Sequence, residues 1–196
     1  MGTILEENRT PEGQAQIKQI KRIEADQKIG DDQLNPLNPR SITIGRIVAI
    51  SISKKKGIPK TNVQSARLIE NHGIEGDIHA GNWHRQVSFL ALESIDKMRE
   101  KGLPNLRPGA FAENITTEFL ELPNLAVGTR IKLGKEAILE ITQIGKECHS
   151  KCAIFSKVGD CVMPREGIFA KVIKGGNISV NDIIEILNST ETIELR

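Results

Sequence analysis

The sequence predicts a mainly β domain, a barrel or a sandwich with few helices. Short runs of alternating or aliphatic residues recur along the chain, and Gly, Pro and Asn turns separate them. The length of 196 residues fits one core with an appendage better than two domains. Hydrophobic residues make up 38% of the chain, beside 17 glycines, which is an ordinary content for a folded domain.

Residues 1–40 are predicted to form an extension outside the β domain. Thr10 before Pro11 is typical of a helix start, three isoleucines follow on one helical side, and Gly30 can end the helix. Two prolines within residues 35–39 then disfavour helix and indicate a linker. We expect a loosely docked helix or a mobile arm without catalytic content, followed by a β domain at 41–188 and a short tail at 189–196.

The strands are predicted from residue periodicity. From Ile42 to Ile52 every second position is aliphatic except Arg46, which indicates a strand with these residues on one face. Further strands are expected at 63–69, 86–92, 129–133, 137–144, 169–173 and 183–187. One helix is predicted at 93–101, where Ile95 and Met98 lie three apart and the following Gly-Leu-Pro supplies a stop.

Composition argues against several classes of function. Lys plus Arg number 27 against 25 Asp plus Glu, so a net charge of +2 gives no field that attracts nucleic acid or membranes. Aromatic residues are 3% of the chain, which leaves few platforms for stacking bases, and no phosphate-binding or dinucleotide-binding glycine motif is present. No secretion signal or apolar span is apparent, so a cytoplasmic protein is expected.

The strongest chemical signal is a cysteine cluster. Cys148, Cys152 and Cys161 fall within 14 positions, in a compartment where thiols stay reduced, which favours thiol chemistry or metal binding over disulfides. Lysines at 146, 151 and 157 favour the thiolate form, although a cysteine is often only a small core residue. Together with His149 the cysteines number four zinc ligands, but their spacing fits closed structural zinc sites poorly.

Two further regions carry polar residues that suit ligand binding. In residues 73–90, glycines surround Asp77, His79, His84 and Arg85, and the histidines and arginine can bind an oxyanion. The alternative is that Asp77 and Arg85 simply pair within a tight loop. In residues 107–116, Arg107 and Asn114 flank a short apolar turn, where a solvated arginine and a turn asparagine are the simpler interpretation. 

Taken together and in this order, these regions resemble the MOSC family, named for the C-terminal domain of molybdenum cofactor sulfurases. The resemblance runs from about residue 44 to 187 and rests on GRIVAISIS, GIEGDIHAG with WHRQVS, RPGAFAENIT, the cysteine segment and GGNISVNDIIEI. It implies a strongly bent β-barrel with a cleft for molybdenum cofactor (molybdopterin). It also implies a cysteine that ligates molybdenum or carries sulfur.

The resemblance gives roles to individual residues. Cys152 ends the HSKC segment and matches the family cysteine, with Cys148 and Cys161 as secondary thiols. Arg107 and Asn114 match the Arg and Asn motif that holds the pterin and its phosphate. The glycine-rich motif contributes the further cofactor-binding candidates His79, His84 and Arg85.

The function implied is sulfur transfer through a cysteine persulfide, or molybdenum ligation in a small molybdoenzyme that reduces N-hydroxylated compounds. A non-catalytic cofactor carrier or chaperone and a zinc-stabilised interaction module remain alternatives. The 196 residues leave no room for the pyridoxal-phosphate desulfurase to which full sulfurases fuse this domain. A separate desulfurase or a molybdoenzyme is therefore the expected partner.

Overall fold

A computed structural model describes residues 44–56, 58–146 and 153–187. The predicted extension at 1–40 and the tail at 189–196 lie outside these residues. The described part is mainly β, with a closed seven-stranded barrel and few helices, as the sequence predicts. No helix within these residues is both long and apolar enough to cross a membrane.

The described residues form eleven strands and three short helices. The strands are β1 (Ile44–Ile52), β2 (Thr61–Val63), β3 (Ser65–Ile69), β4 (Gly73–Ile74), β5 (Val87–Ala91), β6 (Ile115–Glu118), β7 (Arg130–Leu133), β8 (Ala137–Ile144), β9 (Ile168–Lys174), β10 (Gly176–Ser179) and β11 (Ile183–Leu187). The helices are α1 (Leu92–Glu100), α2 (Ala153–Val158) and α3 (Met163–Glu166), with a 3-10 turn at Leu122–Asn124.

The barrel closes through β1. Its strands are ordered β11-β7-β8-β9-β5-β6-β1, and β1 returns to pair with β11 through residues 44–46. Pairing is antiparallel except between β5 and β6, and the end of β1 also pairs with β2. Strands β10, β3 and β4 form a separate small sheet. Closure leaves the barrel strands without the unpaired edge that open sheets present.

A bulge in β1 changes which side chains of this strand face the core, contrary to the prediction. Ile44 is 49% exposed, whereas Ile47 and Ile50 are fully buried. In a regular strand Ile47 and Ile50 would lie on opposite faces, because an odd number of positions separates them. The register with β6 shifts between Ile47 and Ala49, so one extra residue lies there. Because a one-residue bulge reverses which side chains face inward, both isoleucines reach the core.

Two apolar cores lie on opposite sides of β5. Val87 and Phe89 pack inside the barrel. Leu90 packs instead in a second cluster with Ile95 and Met98 of α1 and with residues 161–163 and 169. Since both faces of β5 are covered, all five of its residues are buried, as in a strand enclosed between two layers. The second core fixes the segment 153–166 against the outside of the barrel.

The other predicted elements agree with the structure to different degrees. The strands expected at 137–144 and 183–187 match β8 and β11, and the helix at 93–101 matches α1 within one residue. The single strand expected at 63–69 is two strands, β2 and β3, which join different sheets. The sequence did not predict β4, β6, β10, α2 or α3, because these are short and, in β6, carry buried threonines in place of an aliphatic pattern.

Candidate functional site

The three polar regions meet at one cleft of about 570 Å³. Residues 79–88, 110–114 and 153–169 contribute to its lining, together with Ile58, Pro59 and Lys146. The volume lies within the range of small-molecule sites, and apolar side chains form most of the wall, as is usual for such sites. The charged or ionisable lining groups are His79, Arg85, Lys146 and Cys161, and no described carboxylate lines the cleft. The described wall therefore favours an anionic ligand.

Arg85 lines the cleft, and its guanidinium lies against two aromatic rings. Its guanidinium carbon lies 4.9 Å from the ring centre of Trp83 and 5.7 Å from that of Phe169. Its Nε is buried without a hydrogen-bond partner in the described structure. Stacking fixes the plane of the guanidinium while leaving its N–H groups for an anion. An arginine without an acidic partner here has unused capacity to bind phosphate or carboxylate.

The alternative in which Asp77 pairs with Arg85 is wrong. Asp77 instead pairs with Lys60, whose Nζ lies 2.9 and 2.7 Å from the two carboxylate oxygens, and both side chains are 1% exposed. The backbone amides of Ser53 and His79 donate to the same carboxylate at 2.9 and 3.0 Å. A buried carboxylate with a cation and two amide donors is fully satisfied. Among the described residues, Arg85 has no ion-pair partner.

Both residues of the buried pair, Lys60 and Asp77, have shifted pKa values. Burial lowers the pKa of Lys60, although Asp77 opposes this shift. Burial would raise the pKa of Asp77, but hydrogen bonds from Lys60, Ser53 and His79 together hold it below its ordinary value. The carboxylate is therefore ionised at neutral pH and acts only as an acceptor.

His79 lines the cleft beside this pair. Its Nδ1 lies 3.4 Å from Asp77 Oδ1, and 35% of its side chain is exposed. Burial first, and then the positive charge of Lys60, lower the pKa of His79. The ring is consequently neutral at pH 7, and its polar role in the cleft is that of a neutral imidazole.

A second buried carboxylate organises the loop at 107–116. Glu113 is fully buried and accepts hydrogen bonds from the backbone amides of Gly109 (2.6 Å) and Phe111 (3.0 Å). Burial raises the pKa of Glu113 despite these donors. Gly109 has a φ of +89°, and a side chain there would approach the backbone oxygen of Lys60 to 2.9 Å. The loop thus packs directly against the segment that carries the buried lysine.

The two candidates from this loop differ in position. Asn114 lines the cleft and is 2% exposed. Its Oδ1 accepts from the hydroxyl of Ser88 at 2.9 Å, and its Nδ2 donates to the backbone oxygen of Ser51 at 3.2 Å. Asn114 therefore ties β1 to β5 beneath the cleft. Arg107 is exposed and is not among the residues that line the cleft.

His84 also lies away from the lining. Its ring is exposed, and its Nε2 is 3.1 Å from Gln143 Oε1. It meets Trp83 edge to face, with the ring centres 5.8 Å apart. His84 thus contacts the aromatic ring on which Arg85 stacks.

Of the three cysteines, the structure describes Cys161, which is 6% exposed and lines the cleft. Cys148 and Cys152 lie outside the described residues, as does His149. Lys146 and Ala153, the described residues on either side of this segment, both line the cleft. The described residues contain no cluster of three His, Cys, Asp or Glu suited to a metal. Since three of the four hypothesised zinc ligands lie outside the described residues, the zinc module stays a prediction.

Sequence reasoning missed Lys60 and Glu113 and gave Trp83 no role. Lys60 follows a run of three lysines and therefore has the pattern of a solvated charge. Its burial depends on pairing with Asp77, 17 positions away, and the sequence around Lys60 does not indicate that pairing. Trp83 is the chain's single tryptophan, two residues before an arginine, and that proximity is a usable signal for stacking.

The barrel and its cleft define the class: a small β-barrel domain with a cleft whose described lining carries cationic but no carboxylate groups. The MOSC domain family model matches residues 75–185, more than half of the chain. The chain therefore belongs to the MOSC domain family, which is associated with molybdenum cofactor binding and sulfurase activity. The comparison with curated proteins found no match.

Several solved structures share the fold. The YUAD protein from Bacillus subtilis is 20% identical with a TM-score of 0.64, covering 74% of this chain and 97% of its own. YiiM from Geobacillus stearothermophilus is 19% identical with a TM-score of 0.56, covering 74% and 75%. YiiM from Escherichia coli is 18% identical with a TM-score of 0.53, covering 73% and 70%. At these identities the likeness shows the fold alone.

Proposed function

We propose that the cleft binds molybdenum cofactor and that Cys152 acts beside it, by carrying sulfur as a persulfide or by ligating molybdenum. The observation that carries this proposal is the stacked Arg85, which has no acidic partner among the described residues, in a cleft where three family motifs meet. When bound, the cofactor supplies a metal that prefers soft sulfur ligands and exchanges electrons with substrates.

The donor set fits the cofactor's phosphate and ring system. Arg85 and Lys146 supply positive charge without a competing carboxylate among the described lining residues. Arg85 presents N–H groups in a plane that suits paired contacts with a phosphate. Phe111, Met163 and Phe169 provide apolar and aromatic surface for a planar ring. Asn114 would contribute by holding β1 and β5 together at the cleft.

We assign the thiol role to Cys152. Ala153, the next residue, lines the cleft, and Lys146 on the other side of the cysteine segment adds positive charge that favours a thiolate. In sulfur transfer, this thiolate attacks the outer sulfur of a persulfide on a partner desulfurase, which releases the partner's thiolate and leaves the persulfide on Cys152. A reducing, cytoplasmic setting suits this chemistry. The secondary thiols Cys148 and Cys161 are candidates to resolve the persulfide.

A non-catalytic carrier is the second candidate, because a cleft that binds the cofactor through Arg85 needs no reactive thiol. The two functions differ in their dependence on sulfur. A carrier retains cofactor after Cys152→Ser, whereas molybdenum ligation or sulfur acceptance is lost, since serine lacks the soft and readily ionised sulfur.

The test is purification from a cofactor-producing host, with molybdenum measured by elemental analysis and pterin by fluorescence. We expect molybdenum and pterin in the parent and a marked loss of both in Arg85→Gln. The matched control is Arg130→Gln, because Arg130 lies on β7, pairs with Glu140 at the surface and does not line the cleft. Zinc at one equivalent without pterin would contradict the proposal and favour the zinc-stabilised interaction module.

The thiol assignment is tested separately with Cys152→Ser, Cys148→Ser and Cys161→Ser. Labelled sulfur from a persulfide donor is expected on the parent and on the last two variants, and to be absent from Cys152→Ser. Alkylation at limiting reagent with peptide mapping gives the order of reactivity. If Cys148 or Cys161 is alkylated first and bound cofactor protects it while Cys152 is unaffected, the assignment of Cys152 fails.

A further inference from the structure

His79 and Arg85 line the same cleft, yet their surroundings differ in kind. The carboxylate of Asp77 lies 3.4 Å from His79 Nδ1 and can only accept hydrogen bonds. A neutral imidazole carries one proton, and a lone pair on Nδ1 would face a negative oxygen. The proton is therefore favoured on Nδ1, and Nε2 presents its lone pair. No described residue bonds to that Nε2.

The neutral state of the ring follows from the charges that surround it. Asp77, the described carboxylate nearest the ring, already bonds Lys60 with both oxygens. Lys60 and Lys146 both oppose a further positive charge on His79. Burial acts in the same direction, and together these effects hold the pKa of His79 below its ordinary value.

We propose that His79 is a specificity residue that accepts a hydrogen bond from an N–H or O–H group of the ligand, while Arg85 binds the ligand's anionic group. This rests on the proposed use of the cleft as a ligand site. Asp77 and Lys60 are positioning residues, since they hold the His79 ring in one tautomer without lining the cleft themselves. The ligand class is an anion that also carries a hydrogen-bond donor.

The tautomer is measurable in the protein without ligand. His84 is an internal control with the opposite expectation, because its Nε2 faces Gln143 Oε1 at 3.1 Å. The amide nitrogen of Gln143 donates to the backbone oxygen of Gly145 at 2.7 Å, which keeps Oε1 toward the ring. In 15N spectra of the imidazoles at neutral pH, we expect a proton on Nδ1 of His79 and on Nε2 of His84. A proton on Nε2 of His79, or a doubly protonated ring, overturns the proposal.

The division of labour is tested by titration with sulfate, an anion that carries no proton at neutral pH and so cannot donate a hydrogen bond to His79. Arg85→Gln is expected to weaken sulfate binding by about tenfold or more, the effect of losing a charged hydrogen bond. His79→Gln keeps a polar side chain and is expected to change sulfate binding by less than about twofold, because a neutral acceptor makes no hydrogen bond to an anion without a donor. Equal losses in both variants would make His79 an anion contact and refute the proposal. A parent that does not bind sulfate would instead refute the anion site of the proposed function, and the tautomer measurement would still decide the role of His79.

Discussion

Replacing Lys60 by methionine is expected to be among the most destabilising single changes to a charged residue. The substitution keeps the apolar stem but removes the ammonium that bonds both oxygens of Asp77. The carboxylate, 1% exposed, would keep the amide donors of Ser53 and His79 and the nearby His79 ring, but no ammonium. Breaking a buried pair by removing one partner costs about 3–5 kcal/mol, because an uncompensated charge stays buried.

Urea unfolding followed by circular dichroism measures this loss. For a slope of about 2 kcal/mol per molar urea, the expected midpoint shift is about 1.5–2.5 M. Lys97→Met is the matched control, since its partner Glu166 lies 3.0 Å away but 58% of the lysine side chain is exposed. Such surface pairs contribute up to about 1 kcal/mol.

A double variant separates the loss of the pair from the loss of packing. Lys60→Met combined with Asp77→Asn removes both charges and keeps an acceptor for one of the two amides, because Ser53 and His79 donate to different carboxylate oxygens. We expect its free energy of unfolding to lie closer to that of the parent than Lys60→Met alone. If Lys60→Met shifts stability no more than Lys97→Met, the buried pair does not have the energetic role argued here.

Three further predictions concern the frame of the site. Gly109→Ala is expected to lower the free energy of unfolding in urea more than Gly128→Ala does. Both glycines have a positive φ, but only a Cβ at Gly109 would meet a neighbour, 2.9 Å from the backbone oxygen of Lys60. Equal losses would contradict the predicted contact. Phe89→Ala should lower the free energy of unfolding by about 3–5 kcal/mol, since Phe89 is fully buried in the barrel core, and a loss below about 1 kcal/mol would contradict that packing. Because the folded pKa of Asp77 lies below its ordinary 3.8, its stabilising contribution is present above that pH and is lost as pH falls through the folded pKa. The stability difference between parent and Asp77→Asn should therefore shrink on acidification, and a difference that stays constant would argue against an ionised carboxylate.

The sequence by itself determined the fold class and much of the element order. Strands 137–144 and 183–187 are predictable because their alternation is local and their turn residues lie beside them. The same holds for α1, where Ile95 and Met98 bury one side and glycine follows the end. The three motif regions were also recognisable from sequence, as was the family to which the chain belongs.

The tertiary structure alone decided how the polar residues pair and which of the described candidates reach the cleft. Lys60 meets Asp77 across 17 positions, and Arg85 stacks on Phe169 across 84, so no local periodicity encodes either contact. The bulge in β1 could not be predicted from the sequence either, because it depends on the register with β6 rather than on the residues of β1. Closing the barrel brings these distant segments together, and the cost of burying a charge without a partner then favours the pairing of Lys60 with Asp77.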